Sequence, residues 1–424
     1  MRALPPTIWN RSIVALLTSI FANTCASLVG VTALGVQIYE LTNREFDLGL
    51  LGLAEFAPAA LLVLVTGSVA DRFNRARVMS ASAALEAAAA VGLALYAAGD
   101  PTSAAPIFVL VLVFGTGRAF AAPSGRALPA DIVSAEQLPS LTARRAATWQ
   151  SAIIVGPVIG GALYAIDPVA PYIAMTALLI IAGVSPWFID VPVRPRRVPV
   201  DTVLDAPEIE PPAPRGGLRE ALEGLRFIRR SPILLGVISL DLFAVLFGGA
   251  VALLPAIAAD RLHTGSVGLG WLRAAGGIGA ATVTLAIARR PITRRVGPVL
   301  LLVVALFGVG TIALGATTVY VVAFMAMAVL SGADAVSVFI RSTLVPLATP
   351  ADKRGRVLAV ESVFIGASNE LGAFESGVAG HFLGASGAIM LGGVATLAVA
   401  ATYWVAFPSL REVDRFPVPA SEAR

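Results

Sequence analysis

Eleven ionisable side chains stand inside otherwise apolar runs of this chain: Glu55, Glu86, Arg118, Arg126, Asp241, Arg273, Asp334, Arg341, Glu361, Glu370 and Glu375. A charge placed in hydrocarbon costs about 2.5–3.5 kcal/mol on insertion scales, so each such residue needs a partner or a function. The chemistry open to a carboxyl in that setting is proton carriage: taken up on one side, released on the other, with the charged and neutral forms favouring different shapes. Asp241 lies about nine residues into its run and Glu370 about thirteen, and Asp334 is near the middle of another. These three, with Glu86, are the candidates for coupling to protons. Asn23, Arg118, Asn369 and Glu375 are candidate contacts for a solute. Arg126, Arg341 and Glu361 fall nearer the ends of their runs.

No other chemistry is suggested. There is a single cysteine, Cys25, and the two histidines, His263 and His381, are far apart, so neither a disulfide nor a metal site is expected. No phosphate-binding glycine loop or catalytic triad is present. The sequence predicts no enzyme, no cofactor and no nucleic-acid partner.

What must position the charges is a set of membrane helices. The chain has 424 residues, 57% hydrophobic and 14% charged, with a mean hydropathy of +0.82. A soluble domain carries about 25% charged residues, more than this chain has to cover a globule. Apolar stretches of spanning length, about 20 residues, occur roughly at 13–39, 48–70, 78–98, 106–127, 146–166, 172–189, 232–259, 267–288, 298–316, 319–347, 357–383 and 387–407. The fold class expected is an all-α polytopic membrane protein of twelve transmembrane helices.

The basic residues sort by loop. With the N-terminus on the inner side, 25 of the 31 Lys and Arg fall in inner segments, only Arg44 and Arg261 in outer loops, and four within helices. The excess of positive charge inside predicts that both termini are cytoplasmic.

One connection is long. Residues 190–231 open with Pro192, Pro195, Pro199, Pro207, Pro211, Pro212 and Pro214, which read as an extended linker. They close with "GLREALEGLRFIRRSP", where Leu218, Leu222, Leu225 and Ile228 recur at helical spacing, predicting an amphipathic helix on the inner membrane face. Three segments follow: a six-helix bundle over 1–189, this linker over 190–231, and a second six-helix bundle over 232–424. "GRAFAAPSGR" (117–126) and "GADAVSVFIR" (332–341) place Gly and Arg at equal spacing in the fourth helix of each half, which suggests a duplication. Duplicated halves of this kind form transporters with the site at the midplane between them.

Two short motifs remain. "GSVADRFNRAR" (67–77) closes the second run. Gly67 is expected to permit close helix approach, Asp71 to open the turn and Asn74 to supply a left-handed residue. In "GPVIGG", Gly156, Gly160 and Gly161 form a small-residue face and Pro157 introduces a bend.

The first motif resembles the loop signature of the major facilitator superfamily, with Asn74 where that family usually has Gly and Ala76 where it has a further basic residue. The second resembles the Gly-Pro-x-x-Gly-Gly element of its exporter branches. Residues 115–161 and 218–232 are similar to the branch of enterobactin exporters and drug efflux proteins. The resemblance implies the major facilitator fold and a monomer in the inner membrane of a bacterium. It also implies a latch in which Gly67, Asp71, Arg72 and Arg75 engage Arg126, Arg356, Glu361 and the start of the eleventh helix when the inner side is closed. The counterpart loop "ARRPITRRVG" (288–297) keeps the arginines and has no acid. The function expected is a proton-coupled antiporter exporting an amphipathic drug or siderophore by alternating access. The alternatives are an importer or lysolipid flippase of the same fold, or a membrane receptor that does not transport.

Overall fold

The computed structural model describes residues 10–134, 136–190 and 218–417. The proline-rich part of the connection, 191–217, lies outside the described residues, as do both terminal segments.

The first six helices are α1 (Arg11–Thr42), α2 (Glu45–Arg72), α3 (Arg75–Ala97), α4 (Ala105–Ala127), α5 (Leu138–Ile166) and α6 (Ala170–Val184). A linker helix (Leu218–Arg230) precedes α7 (Pro232–Phe247), α8 (Gly265–Arg289), α9 (Val296–Ala316) and α10 (Tyr320–Leu347). The last helical run, Arg354–Ala406, is 53 residues long. At 1.5 Å per residue it would reach about 80 Å, well over twice the hydrocarbon core. It is broken at Gly384, whose φ of 72° and ψ of 161° only glycine adopts readily. The two arms are α11 (354–383) and α12 (385–406). Among the described residues, eleven helical runs are apolar and long enough to cross a membrane, and splitting the last one gives twelve crossings.

Local signals set several boundaries. Asn10 caps α1 by accepting from the Ile13 N–H at 2.8 Å, and Asn74 caps α3 by accepting from Arg77 at 3.1 Å. The second cap corrects the expected turn. Asp71 belongs to the last turn of α2, and Asn74 has φ −62° and ψ 117°, not the left-handed region. Asn is there as an acceptor for a helix start, so no residue of positive φ is needed.

The seventh span is not one continuous helix. After Phe247 the chain passes Gly248 and Gly249, a 3₁₀ turn (Ala250–Leu253) and a π turn (Ile257–Arg261). A side chain on Gly249 would overlap the Gly372 carbonyl, so the break lets α7 lie directly on α11. The broken backbone faces a cavity, where interrupted membrane helices are tolerated.

In the first half α1 packs on α5 and α6, α2 on α4, and α3 on α4 and α6; in the second, α8 packs on α10 and α9 on α10 and α12. Across the halves α5 packs on α8 and α2 on α11. The buried clusters divide by depth. One large core joins both halves, running from Leu34, Tyr39 and Leu48 to Leu253, Leu262, Leu269 and Ile389. At the end that carries the linker helix, hereafter the linker end, the cores are separate. One gathers Ile228, Leu234, Val296, Leu344 and Val357 of the second half, and another Ile13, Leu16, Leu128 and Ile132 of the first. The halves are therefore joined at the far end and apart at the linker end. The linker helix packs on the base of α11, with Ile228 buried and Gly224 against the Arg356 backbone.

Candidate functional site

The site is built on the sequence Gly115-Thr116-Gly117-Arg118 in α4. A side chain on Gly115 would overlap the Glu55 carbonyl of α2. One on Gly117 would put a Cβ 2.7 Å from Glu86 Cγ and 2.8 Å from the Ser82 carbonyl of α3. The two glycines let α4 sink between α2 and α3. Arg118, the next residue, then forms an ion pair with Glu55. Its side chain is 54% exposed, to a cavity rather than to the outside of the bundle.

Glu370 approaches this pair from the other half. Its Oε2 lies 3.4 Å from where a Cβ on Gly52 would stand, so the absence of a side chain there admits it. Glu55 and Glu370 line two cavities in common. One of about 370 Å³ reaches toward the far end and also meets Arg273, Asp334 and Asn369. The other, of about 570 Å³, runs past Phe56, Val63, Arg118 and Arg126 toward the linker end. A third, of about 580 Å³, is lined by Asn23, Arg118, Arg126 and Trp149 among others. These volumes are in the range of small-molecule sites.

Asn23 and Glu86 meet each other. The Asn23 amide donates to Glu86 Oε2 at 2.7 Å, while Glu86 Oε1 is buried without a partner. Glu86 is fully buried between α3, α1 and α4, behind the cavity wall. Asp241 is also enclosed. It accepts from Arg341 at 2.7 Å, and both side chains are 7% exposed. Asp334 lies beside this pair and faces the central cavity. Asp334 and Arg341 are seven residues apart on α10, yet the partner of Arg341 is Asp241 on α7. Asn369 is exposed and donates to the Ile365 carbonyl of its own helix. Glu375 is half-buried on α11 and does not line these cavities.

The latch residues are not assembled here. Asp71 and Arg72 are exposed, Arg75 pairs with Asp131 at 2.5 Å, and Arg356 pairs with Glu223 of the linker helix at 3.0 Å. Arg126 bonds the Ala122 carbonyl of its own helix and lines the cavity. Glu361 is buried at the base of α11. Nothing lies within 4 Å of a Cβ on Gly67, so the close approach expected there is absent. The physical reason is the separation of the two halves at this end. Phe56 touches the Cβ position of Gly366 at 3.8 Å, and beyond it Val63 and Val363 are 55% and 64% exposed.

The glycines of α5 serve two faces rather than one. Gly156 and Gly160 meet Leu28, Cys25, Val29 and Thr32 of α1, whereas Gly161 meets Ser266 and Gly270 of α8. Gly270 in turn sits on the Pro157 carbonyl, and Gly277 on Ile153 and Ile154. This glycine-on-glycine crossing closes the far end together with Gly49 against Gly377 and the edge-on Phe46–Phe374 pair at 5.9 Å.

Polar bonds that sequence reading did not foresee stand at that end, one across the halves and two within the first half. Tyr39 donates across the halves to Asp260, Tyr164 donates to Glu40 at 2.6 Å, and Tyr172 to Gln37 at 2.6 Å. Their signal was present: Tyr39 and Tyr164 lie in the last turns of α1 and α5 and Tyr172 in the first turn of α6, all at the far end.

Against known proteins, residues 15–373 match the family model of the Major Facilitator Superfamily. A curated relative, the enterobactin exporter EntS of Shigella flexneri, is 25% identical over 339 residues, 78% of this chain and 75% of that protein. Among solved structures, a bacterial homologue of the human lysosomal transporter Spinster, inward-facing and unoccupied, superposes with a TM-score of 0.69 at 15% identity, covering 96% of this chain and 97% of that one. A D-xylose-proton symporter does so with a TM-score of 0.65 at 17% identity, covering 94% and 98%. With a polytopic helical fold, a solute-sized cavity between two sets of helices and a family match over most of its length, this chain is a membrane transporter of the Major Facilitator Superfamily.

Proposed function

We propose that the protein exports an amphipathic solute of the drug or siderophore kind in exchange for protons. The first six helices and the last six, 1–189 and 232–424, rock about the linker 190–231. The observation that carries this reading is Glu370. It is a carboxyl of the second half that faces the Glu55–Arg118 pair of the first half across a cavity. When the halves tilt, that neighbourhood changes, and a group whose surroundings change between states can take a proton in one and release it in the other. Asp334 is the other proton-carrier candidate that faces the cavity. Asp241 and Glu86, each held in a closed pocket, tune the helices that carry the cavity residues.

The positive-inside distribution supports a cytoplasmic linker end, so the cavity described opens to the cytoplasm of a bacterial inner membrane. Return to the outward-open state brings Asp71, Arg126 and the base of α11 together as a latch, and frees Arg356 from Glu223. The relatives named as enterobactin exporters support a siderophore-class solute and the outward direction.

The test is flux in proteoliposomes containing the purified protein, loaded with an amphipathic dye or a siderophore, under an imposed pH gradient. Solute movement coupled to opposite proton movement supports antiport. Solute movement indifferent to the gradient overturns it.

A further inference from the structure

Among the described residues, Arg273 of α8 is a guanidinium without an acceptor. Its Nε is buried and unpartnered, and among the described residues no carboxylate pairs with it. A guanidinium carries five donors and stays charged in proteins, and a buried donor left without an acceptor is costly. The acids sharing its cavity do not answer it. Glu55 is engaged by Arg118, and neither Asp334 nor Glu370 forms an ion pair with it.

Its position is not that of a packing residue. Nη2 stands 3.6 Å from the Cβ position of Gly35 on α1, so the side chain bridges from the second half toward the first. Two cavities, of about 370 and 440 Å³, meet at Arg273. Val251, Ser331 and Asp334 line both, with Leu330, Phe307, Glu55 and Glu370 in the first and Trp149 and Met327 in the second. A guanidinium whose donors find no acceptor, set among these acids but beside Trp149, Val251 and Leu330, can take the charged head of an amphipathic anion.

We propose that Arg273 is the anion-binding residue of the transport site. It takes the carboxylate, or an equivalent singly charged oxygen head, of a solute whose apolar body lies along Trp149 and Val251. This rests on the transport reading above and narrows its solute class from amphipathic to amphipathic and anionic.

The experiment uses the full chain in nanodiscs with pyrenebutyrate and its methyl ester as matched probes, read by energy transfer from tryptophan. Wild type binds the acid about ten-fold or more tighter than the ester, since hydrogen bonds to charged groups are the stronger ones. Arg273→Gln binds both within about two-fold of each other, with ester binding as in wild type. Arg273→Lys keeps part of the preference, which serves if the Gln variant does not fold. Equal binding of the two probes by wild type overturns the proposal, as does a preference that survives in Arg273→Gln, or loss of both probes in a folded Arg273→Gln. Flux in proteoliposomes separates this from the parent reading. If wild type binds the acid selectively and moves neither probe, export falls and the anion site stands.

Discussion

Arg341 of α10 donates to Asp241 of α7 at 2.7 Å, and each side chain is 7% exposed. This is a sealed ion pair within the second half, next to the core that gathers Leu240, Ile340 and Leu344. Removing one partner of such a pair costs about 3–5 kcal/mol, because the other charge is left uncompensated. Asp241→Asn is therefore expected to lower the melting temperature in detergent markedly, and Asp241→Asn with Arg341→Gln to recover much of the loss. A calorimetric or fluorescence melt of the three proteins checks this.

The Glu55–Arg118 pair differs in its surroundings. Arg118 is half exposed to the cavity, so solvent screens the pair and its contribution to stability is small. Glu55→Gln is expected to melt near the wild-type temperature and to lose most of its solute flux. Melting and flux measured on the same preparation separate the two effects.

Across the far end, Tyr39 of α1 donates to Asp260 in the π turn that ends the seventh span. A hydrogen bond to a charged acceptor contributes about 1.5–3 kcal/mol, so Tyr39→Phe should shift the balance toward the outward-open state about ten-fold or more. Gly161→Val, which would drive a side chain into the Ser266 carbonyl, should shift it the same way. Accessibility of an engineered cysteine near residue 43 to an impermeant thiol reagent, in a Cys25→Ala background, reads that balance.

Asp414 answers the missing acid of the loop before α9. Its carboxylate accepts from the Arg295 N–H at 3.1 Å and pairs with Arg294 at 3.4 Å, while the Gly297 N–H donates to the Val413 carbonyl at 2.9 Å. The Arg295 backbone N–H first, then Arg294 and Arg415, hold the Asp414 carboxyl below the ordinary carboxylate range. A depressed value means that the contact is fully present above the ordinary value and is lost as pH falls through the depressed one. Protease cleavage of the C-terminal segment should therefore stay slow at neutral pH and rise below about pH 4. In Asp414→Asn it should be fast at every pH.

How legible was this in the sequence? The spans were, because the hydrocarbon demands about 20 apolar residues and nothing else in the chain imitates that. The deep acids and arginines were, because charge stands out against such runs. Their partners were not. Glu55 meets Arg118 and Asn23 meets Glu86 across 63 residues each, distances decided by how far α4 and α3 sink into the bundle. That depth is set by Gly115 and Gly117, which look like any other small pair. The break after Phe247 was hidden for the same reason. Gly67 and Asp71 were given contacts that belong to the closed linker end, and the cores show that end apart.

The central claim is that Glu370 couples protons to the tilt of the two halves. The direct measurement compares wild type with Glu370→Gln in proteoliposomes, for solute–solute exchange at equal pH and for uphill flux driven by a pH gradient. The account predicts that the variant keeps exchange, since the cavity and the rocking remain, and loses gradient-driven accumulation. Undiminished accumulation in Glu370→Gln would contradict it.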